Sequence, residues 1–508
     1  LIVKKLVRKV KVSKNTLRKV KNKRFKDKRF KNKIPGLLID KQYAPRILRL
    51  GKEPELTGRI VESGNSQYNS ARREFNTYFN KFPRVVVFAQ KNQDVVNAIR
   101  WARYNKVPIR MRSGRHSYEG LSVVNGGIVI DVSDMQQVDV NRKRGTATVQ
   151  AGIRGGALNS ALWEEGLVVP VGLCPTTGIA GVTLGGGHSI LSRPYGLTLD
   201  HLVDIEMVNA DGRIIHANAT QNKDLFWALR GGGGGNFGVC TNFRFRTHPI
   251  ETVGFVEIGW DLNDLEAVLR TWQDYTVPGA NERLTVTLGI TNGRQSTQSK
   301  SAKQQSQVGF PILMQGVFLG SVKELRQVLQ PILRAGSPRK VVIERIPWIE
   351  SVRLVAKTTP TKPYPFKSVG PYVFHRLPKS GISTIRRFIE SPPTSGVSVF
   401  LHGLGGAVAK VPNRATAYYY RRALYNMTPS ATWNTQEEAN RGIRWVENFR
   451  REMLPFTKGV YVNTPDLKIK NWQQAYFGGN FERLTRVKAQ YDPKNIFHFP
   501  QSIPPARR

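Results

Sequence analysis

Arg112-Ser113-Gly114-Arg115-His116-Ser117-Tyr118-Glu119-Gly120 is the stretch on which the fold of this chain turns. It follows an apolar run, Val107 to Met111, that reads as a strand, so it is a tight turn leaving a strand. Hydroxyls, amides, two guanidiniums and one imidazole make a donor set suited to a pyrophosphate. Taken alone, a histidine in a polar loop is more often structural, so its neighbours have to supply the meaning. Upstream, Val85-Val86-Val87-Phe88 reads as a buried strand. Val95, Ala98, Ile99 and Ala102 then fall at i, i+3, i+4 and i+7, one face of an amphipathic helix. Downstream, Gly127 to Val132 and Thr146 to Ala151 read as strands, and Ala157 to Glu165 as a helix ended by Gly166. Strand and helix alternate, which is α+β or α/β organisation.

Two glycine-rich loops follow. Gly172-Leu173-Cys174-Pro175-Thr176-Thr177-Gly178-Ile179-Ala180-Gly181-Val182-Thr183-Leu184-Gly185-Gly186-Gly187 sets a cysteine in a rigid loop, unlike the packing of a core cysteine. Gly231-Gly232-Gly233-Gly234-Gly235-Asn236-Phe237-Gly238 contains GxGxxG at Gly233, Gly235 and Gly238. A dinucleotide fingerprint needs a strand before it and a helix after. Here Asp224 to Arg230 reads as helix and Val239 to Arg246 alternates as a strand, so a Rossmann site is rejected and close backbone approach to a bulky ligand remains. From about 250 to 440, strands (Gly254 to Trp260, Arg283 to Ile290, Val397 to Leu401) alternate with longer helices (Leu262 to Tyr275, Val322 to Leu333, Gln436 to Met453), a second domain. Tyr418 to Tyr420 and Arg421 either line a cleft there or pack.

The 508 residues are 40% hydrophobic and 22% charged, a globular composition that excludes disorder throughout. No apolar run reaches about 18 residues and no secretory signal is visible at the start. Cys174 and Cys240 are the only cysteines, which leaves no disulfide framework, and Cys240 falls in an apparent core strand. The net charge is +42, and residues 1 to 40 carry 16 Lys and Arg against Asp27 and Asp40. Such a head is expected to be an arm that attaches to a polyanionic surface or matrix. No nucleic-acid recognition motif accompanies it.

Together, and in this order, these segments resemble the berberine-bridge-enzyme-like branch of the FAD-linked oxidases, in the vanillyl-alcohol-oxidase superfamily. The tail adds Tyr476-Phe477-Gly478-Gly479-Asn480-Phe481-Glu482-Arg483-Leu484, Tyr491-Asp492-Pro493-Lys494-Asn495-Ile496-Phe497 and Gln501-Ser502-Ile503-Pro504. The resemblance implies an α+β fold. Its parts are a basic arm (1–59), a two-lobe PCMH-type FAD-binding domain (60–250), a substrate domain with an antiparallel sheet (251–454) and a segment completing the FAD domain (455–508). It implies FAD held by two covalent bonds, His116 to the flavin 8α-methyl and Cys174 to C6. Arg112, Ser113, Gly114, Arg115 and Ser117 become pyrophosphate-side contacts. Thr177, Gly178, Gly181, Leu184, Gly185, Gly186 and Gly187 become flavin contacts. Gly238 and Val239 fall near the adenine, and Asn463 and Asn480 hold the flavin from the C-terminal side.

The chain departs from the family's pattern in three places. Arg115 stands where relatives commonly have a second Gly, His188-Ser189 where they have x-Gly, and Tyr461-Val462-Asn463-Thr464 where many carry Tyr-x-Asn-Tyr. A threonine hydroxyl is a poor base, so Thr464 cannot replace the second Tyr, and Tyr461 either substitutes weakly for it or merely packs. The expected function is oxidation of a small organic substrate (alcohol, sugar or secondary metabolite), with hydride passing to flavin and then to oxygen, giving hydrogen peroxide. No metal is implied. The alternative is a basic structural or coat-associated flavoprotein with little activity. Cytoplasm and spore coat both suit the absence of a visible signal.

Overall fold

Residues 53–293, 309–394 and 396–507 are described by the computed structural model. The basic head, and nearly all of the expected arm, lies outside the described residues. β1 (Arg59–Glu62), β2 (Val85–Phe88), β3 (Ile109–Arg112) and β4 (Ile128–Asp131) form one sheet in the order β1-β2-β4-β3. β2, β4 and β3 run parallel. Parallel strands are covered on both faces and read as unbroken apolar runs; every residue of β2 and β4 is buried. The crossover from β2 to β3 is α1 (Asn92–Asn105), which buries Val95, Ala98, Ile99 and Ala102, the face expected from their spacing.

A second, antiparallel sheet contains β5 (Val138–Asn141), β6 (Thr146–Gln150), β7 (Leu202–Val208), β8 (Ile214–Asn218) and β9 (Val239–Arg246), in the order β5-β6-β9-β7-β8. α2 (Gly155–Glu164), α3 (Ile179–Gly185) and α4 (Lys223–Leu229) connect its strands. The five-glycine run lies between α4 and β9, with the helix before it and the strand after it, the reverse of a dinucleotide turn. Cys240 is buried in β9, and burial pushes its thiol up to about 12, so it is an inert core residue.

The third sheet holds β10 (Thr252–Trp260), β11 (Leu284–Thr291), β12 (Ile312–Phe318), β13 (Lys340–Pro347), β14 (Phe366–Ser368), β15 (Gly396–Gly403) and β16 (Tyr425–Thr432). The order is β13-β10-β12-β11-β15-β16-β14, antiparallel throughout, with Tyr372–Val373 pairing on β16. α5 (Leu265–Trp272), α6 (Lys379–Glu390) and α7 (Gln436–Glu452) are amphipathic, and α6 and α7 pack on β15, β16 and β14. The helix expected over 322–333 breaks into 322–328 and 330–333, where Pro331 cannot donate an intrahelical N–H. This is an α+β fold; among the described residues no helix is long and apolar enough to cross a membrane.

The chain after residue 460 returns to the first half. From α8 (Phe481–Tyr491), Lys488 sends its buried ammonium to the carbonyls of Asn236 (2.5 Å) and Phe497 (2.6 Å) and to Asp492 (2.7 Å). Ile503 N donates to Asn236 Oδ1 at 2.9 Å, a second tie to the glycine run. Lys367 of β14 joins Glu119 of the turn after β3 to Asp466 (2.8 Å), so one buried ammonium fastens three distant segments. Removing one partner of a buried ion pair strands the other charge, at about 3–5 kcal/mol. Lys488→Met should therefore lower the urea-unfolding free energy by about that amount, whereas exposed Lys494→Met should change it little.

Candidate active site

A cleft of about 1570 Å³ lies between the glycine loops and the third sheet. It exists because two loops touch backbone to backbone. A Cβ on Gly114 would stand 2.0 Å from Gly178 N, and one on Gly178 would stand 2.2 Å from Gly114 N. Only glycine at both positions permits that approach. Arg112, Ser113, Gly114, Arg115, His116 and Ser117 line the cleft from the first loop, and Cys174, Thr177, Gly178, Gly181 and Leu184 from the second. Gly238 and Val239 line it from the start of β9, and Tyr461 and Asn463 from the C-terminal segment.

The contact places His116 beside Cys174. His116 stacks on Phe75 at 3.9 Å, and its Nε2 lies 3.0 Å from Thr176 Oγ1. The same hydroxyl lies 3.2 Å from Cys174 Sγ. Burial, helped by the nearby Arg154 charge, pushes His116 down to about 4, so its imidazole is neutral at pH 7. Arg112 is spent on Asp131, at 2.7 Å. Arg115 occupies the left-handed region, φ 64, and is held there by Asp131 at 3.4 Å and by the Ser70 carbonyl at 3.1 Å. The charge that replaces the family's glycine is thus partly neutralised within the protein.

Across the cleft, the third sheet presents one row of directly paired polar residues. Glu257 of β10 pairs with Gln315 of β12, Gln315 with Thr287 of β11, Thr287 with His402 of β15, and His402 with Asn426 of β16. All five line the cleft. The row was not legible in the sequence: each residue is an ordinary polar position in its strand, and only the register aligns them.

At one end of this row is a buried ring cluster. His402 Nε2 lies 3.1 Å from the Ser189 carbonyl. A carbonyl only accepts, so Nε2 carries the proton and Nδ1 has the lone pair. Burial pushes His402 down to about 4, which keeps it neutral. His188 stacks between His402 (5.4 Å) and Tyr461 (4.0 Å), with Nε2 3.1 Å from Tyr418 Oη. Tyr461 Oη accepts from Gly187 N (2.9 Å) and from Asn463 Nδ2 (2.8 Å), while burial pushes the phenol up to about 12. Thr464 lines the cleft with its hydroxyl 3.3 Å from the Tyr461 carbonyl.

Some expected contacts lie elsewhere. Asn480 does not line the cleft; its buried amide donates to the carbonyls of Asn413, Thr416 and Ala417, and so fixes the 413–417 segment. Gly185, Gly186 and Gly187 also lie behind the cleft wall. The space beside them belongs to Asn463, to the Tyr418 and Tyr461 rings, and to Thr198, respectively. Gly186 (φ 149) and Gly187 (φ 87) make this turn. Tyr418 to Tyr420 and Arg421 pack behind the cleft, with Arg421 on Asp200 at 2.7 Å. Among the described residues no cluster of His, Cys, Asp or Glu is placed to hold a metal ion.

The site has the parts an FAD needs: a long cleft floored by close-packed glycine backbone, a cationic turn at one side, and an imidazole and a thiol held together. The FAD binding domain family matches residues 83–218, and the berberine and berberine-like family matches residues 460–504. The FAD-linked oxidoreductase YgaK of Bacillus subtilis strain 168 is 40% identical over 461 residues, 90% of this chain and 99% of that protein. Monolignol oxidoreductase AtBBE-like 13 of Arabidopsis thaliana is 31% identical over 446 residues, 80% of this chain and 81% of that one. Among solved structures, Physcomitrella patens BBE-like 1 superposes with a TM-score of 0.81 at 28% identity, covering 90% of this chain and 99% of that one. A chitooligosaccharide oxidase superposes at 0.79 with 26% identity, covering 89% and 98%. These findings define an FAD-linked oxidoreductase. The chain belongs to the berberine-bridge-enzyme-like family.

Two buried histidines give a pH signature. His201 and His402 are each pushed from 6.5 to about 4, mainly by burial. Between those values the unfolded chain binds protons that the folded one does not, so their contribution to stability is full above 6.5 and lost as pH falls toward 4. The melting temperature should drop over that window, and less steeply in His402→Gln, as read by calorimetry.

Proposed function

We propose that this oxidoreductase holds FAD through bonds at both His116 and Cys174 and oxidises a small hydroxyl-bearing molecule laid along the polar row. Residues 60–250 and 455–508 would hold the cofactor, and residues 251–454 the substrate. The observation that carries the reading is that one cleft is lined both by His116 and Cys174 and by Glu257, Gln315, Thr287, His402 and Asn426. FAD, when bound, supplies the acceptor for the hydride of a substrate C–H bond, and dioxygen is the proposed final acceptor.

The chain's own groups position the substrate and remove its proton. The row is itself hydrogen-bonded, Gln315 Nε2 donating to Glu257 Oε2 at 2.7 Å and Asn426 Nδ2 to the Gly370 carbonyl at 2.8 Å, so it offers a substrate hydroxyl the remaining lone pairs and N–H groups at strand spacing. Loss of hydride from a C–OH carbon releases the hydroxyl proton, and His402 Nδ1, bare and neutral, is the acceptor. Tyr461 lines the same space, but both acceptor positions of its oxygen are filled by N–H donors. As a neutral phenol it is left to donate, so it orients the substrate. We further assign the basic head of the sequence to attachment on a polyanionic surface.

After denaturation in acid, the mass of the unaltered protein should include FAD. His116→Ala and Cys174→Ala should each retain one link, and only the double variant should release FAD. Free FAD from the unaltered protein would overturn bicovalent attachment. His402→Asn should keep the flavin spectrum yet slow anaerobic bleaching by simple alcohols by about 100-fold or more, the worth of a positioned base. Unchanged bleaching would remove His402 from this role.

A further inference from the structure

We infer that Thr176 is a positioning residue for cofactor attachment, its hydroxyl setting the hydrogen-bond roles and the aim of His116 and Cys174 together. The inference rests on the proposed attachment at those two residues. Thr176 does not itself line the cleft; it stands behind the two side chains that do. Its oxygen is 3.0 Å from His116 Nε2 and 3.2 Å from Cys174 Sγ, so one hydroxyl is shared by both.

A hydroxyl has one proton to give. If it accepts from Nε2–H, that proton goes to the sulfur. His116 Nδ1 is then a bare lone pair, and Cys174 Sγ receives a hydrogen bond. If the chain of bonds runs the other way, Nδ1 carries the ring proton and the sulfur keeps its own. In the first arrangement the ring presents a bare nitrogen and the sulfur's own proton points at the Pro360 carbonyl, 3.8 Å away; in the second the ring presents N–H and the sulfur's proton is turned to Thr176. Burial keeps the imidazole neutral, so it has only one ring proton to place.

The surroundings hold this rotor still. The Phe75 ring, stacked at 3.9 Å, opposes a flip of the imidazole. The backbone on either side of Thr176 is tied to the start of α2, Gly156 N donating to the Pro175 carbonyl and Gly155 N to the Thr177 carbonyl, both at 2.9 Å. In net terms each link removes one hydrogen from a flavin carbon and one from the side chain and forms one C–N or C–S bond. Dioxygen takes the two hydrogens and their electrons, leaving as hydrogen peroxide.

The test compares purified holoenzymes of the unaltered chain, Thr176→Ser, Thr176→Val and Thr176→Ala, by intact mass in acid and by mapping of flavin-bearing peptides. The unaltered and Ser proteins should carry FAD linked at both sites. The Val protein, matched in shape without the hydroxyl, should bind FAD reversibly with about tenfold less of the doubly linked species. Full double linkage in Thr176→Val overturns the inference while leaving the attachment reading intact. FAD released entirely from the unaltered protein overturns both. Should Thr176→Val fail to fold, Thr176→Ala decides: linkage equal to that in Thr176→Ser overturns the inference, and its loss supports it.

Discussion

Gly114 against Gly178 is the contact on which the rest of the site depends. Two loops more than 60 residues apart meet with no side chain between them, and a single methyl on either would force them apart by more than an ångström. That meeting puts an imidazole from one loop within hydrogen-bond reach of a hydroxyl from the other. It also fixes the floor against which the third sheet stands. Buried cationic ties then hold the frame: Lys367 across Glu119 and Asp466, and Lys488 across Asn236, Asp492 and Phe497. Such ties cost desolvation and so add little net stability, but they penalise every arrangement that leaves an ammonium without its partners.

Much of the fold was legible because the signals were local. β9 spans Val239 to Arg246 as its alternation implied, and α7 begins at Gln436 behind a Thr435 capping box. The His116 and Cys174 loops were legible as a pair because glycine, proline and donor residues recur in fixed order. What escaped was set by distant geometry. Thr176 gains its place from a loop crossing, and the row from Glu257 to Asn426 from the register of five strands. The partners of Asn480 escaped for the same reason: an amide near a glycine turn suits a ligand as well as it suits carbonyls, and here it donates to three carbonyls 63 to 67 residues away.

The cluster around His188 fills the corner beside Tyr461. Thr464 is small and packs close to Gly370, and the aromatic mass near the cleft is supplied by Tyr461, Tyr418 and two histidines instead. Imidazoles beside phenols give this corner its character. An imidazole can hold one proton while offering a lone pair on its opposite nitrogen, and the Ser189 carbonyl decides which nitrogen does which.

The clamp made by Lys488 and Ile503 on Asn236 bears on the timing of biosynthesis. The glycine run leaves the ribosome some 250 residues before the segment that braces it. A nascent polypeptide can pair its first two sheets early, yet the floor near Asn236 stays without its brace until residues 488 to 503 have been translated. A stop placed before residue 488 would thus yield a chain with nearly every strand in place and the glycine run unbraced.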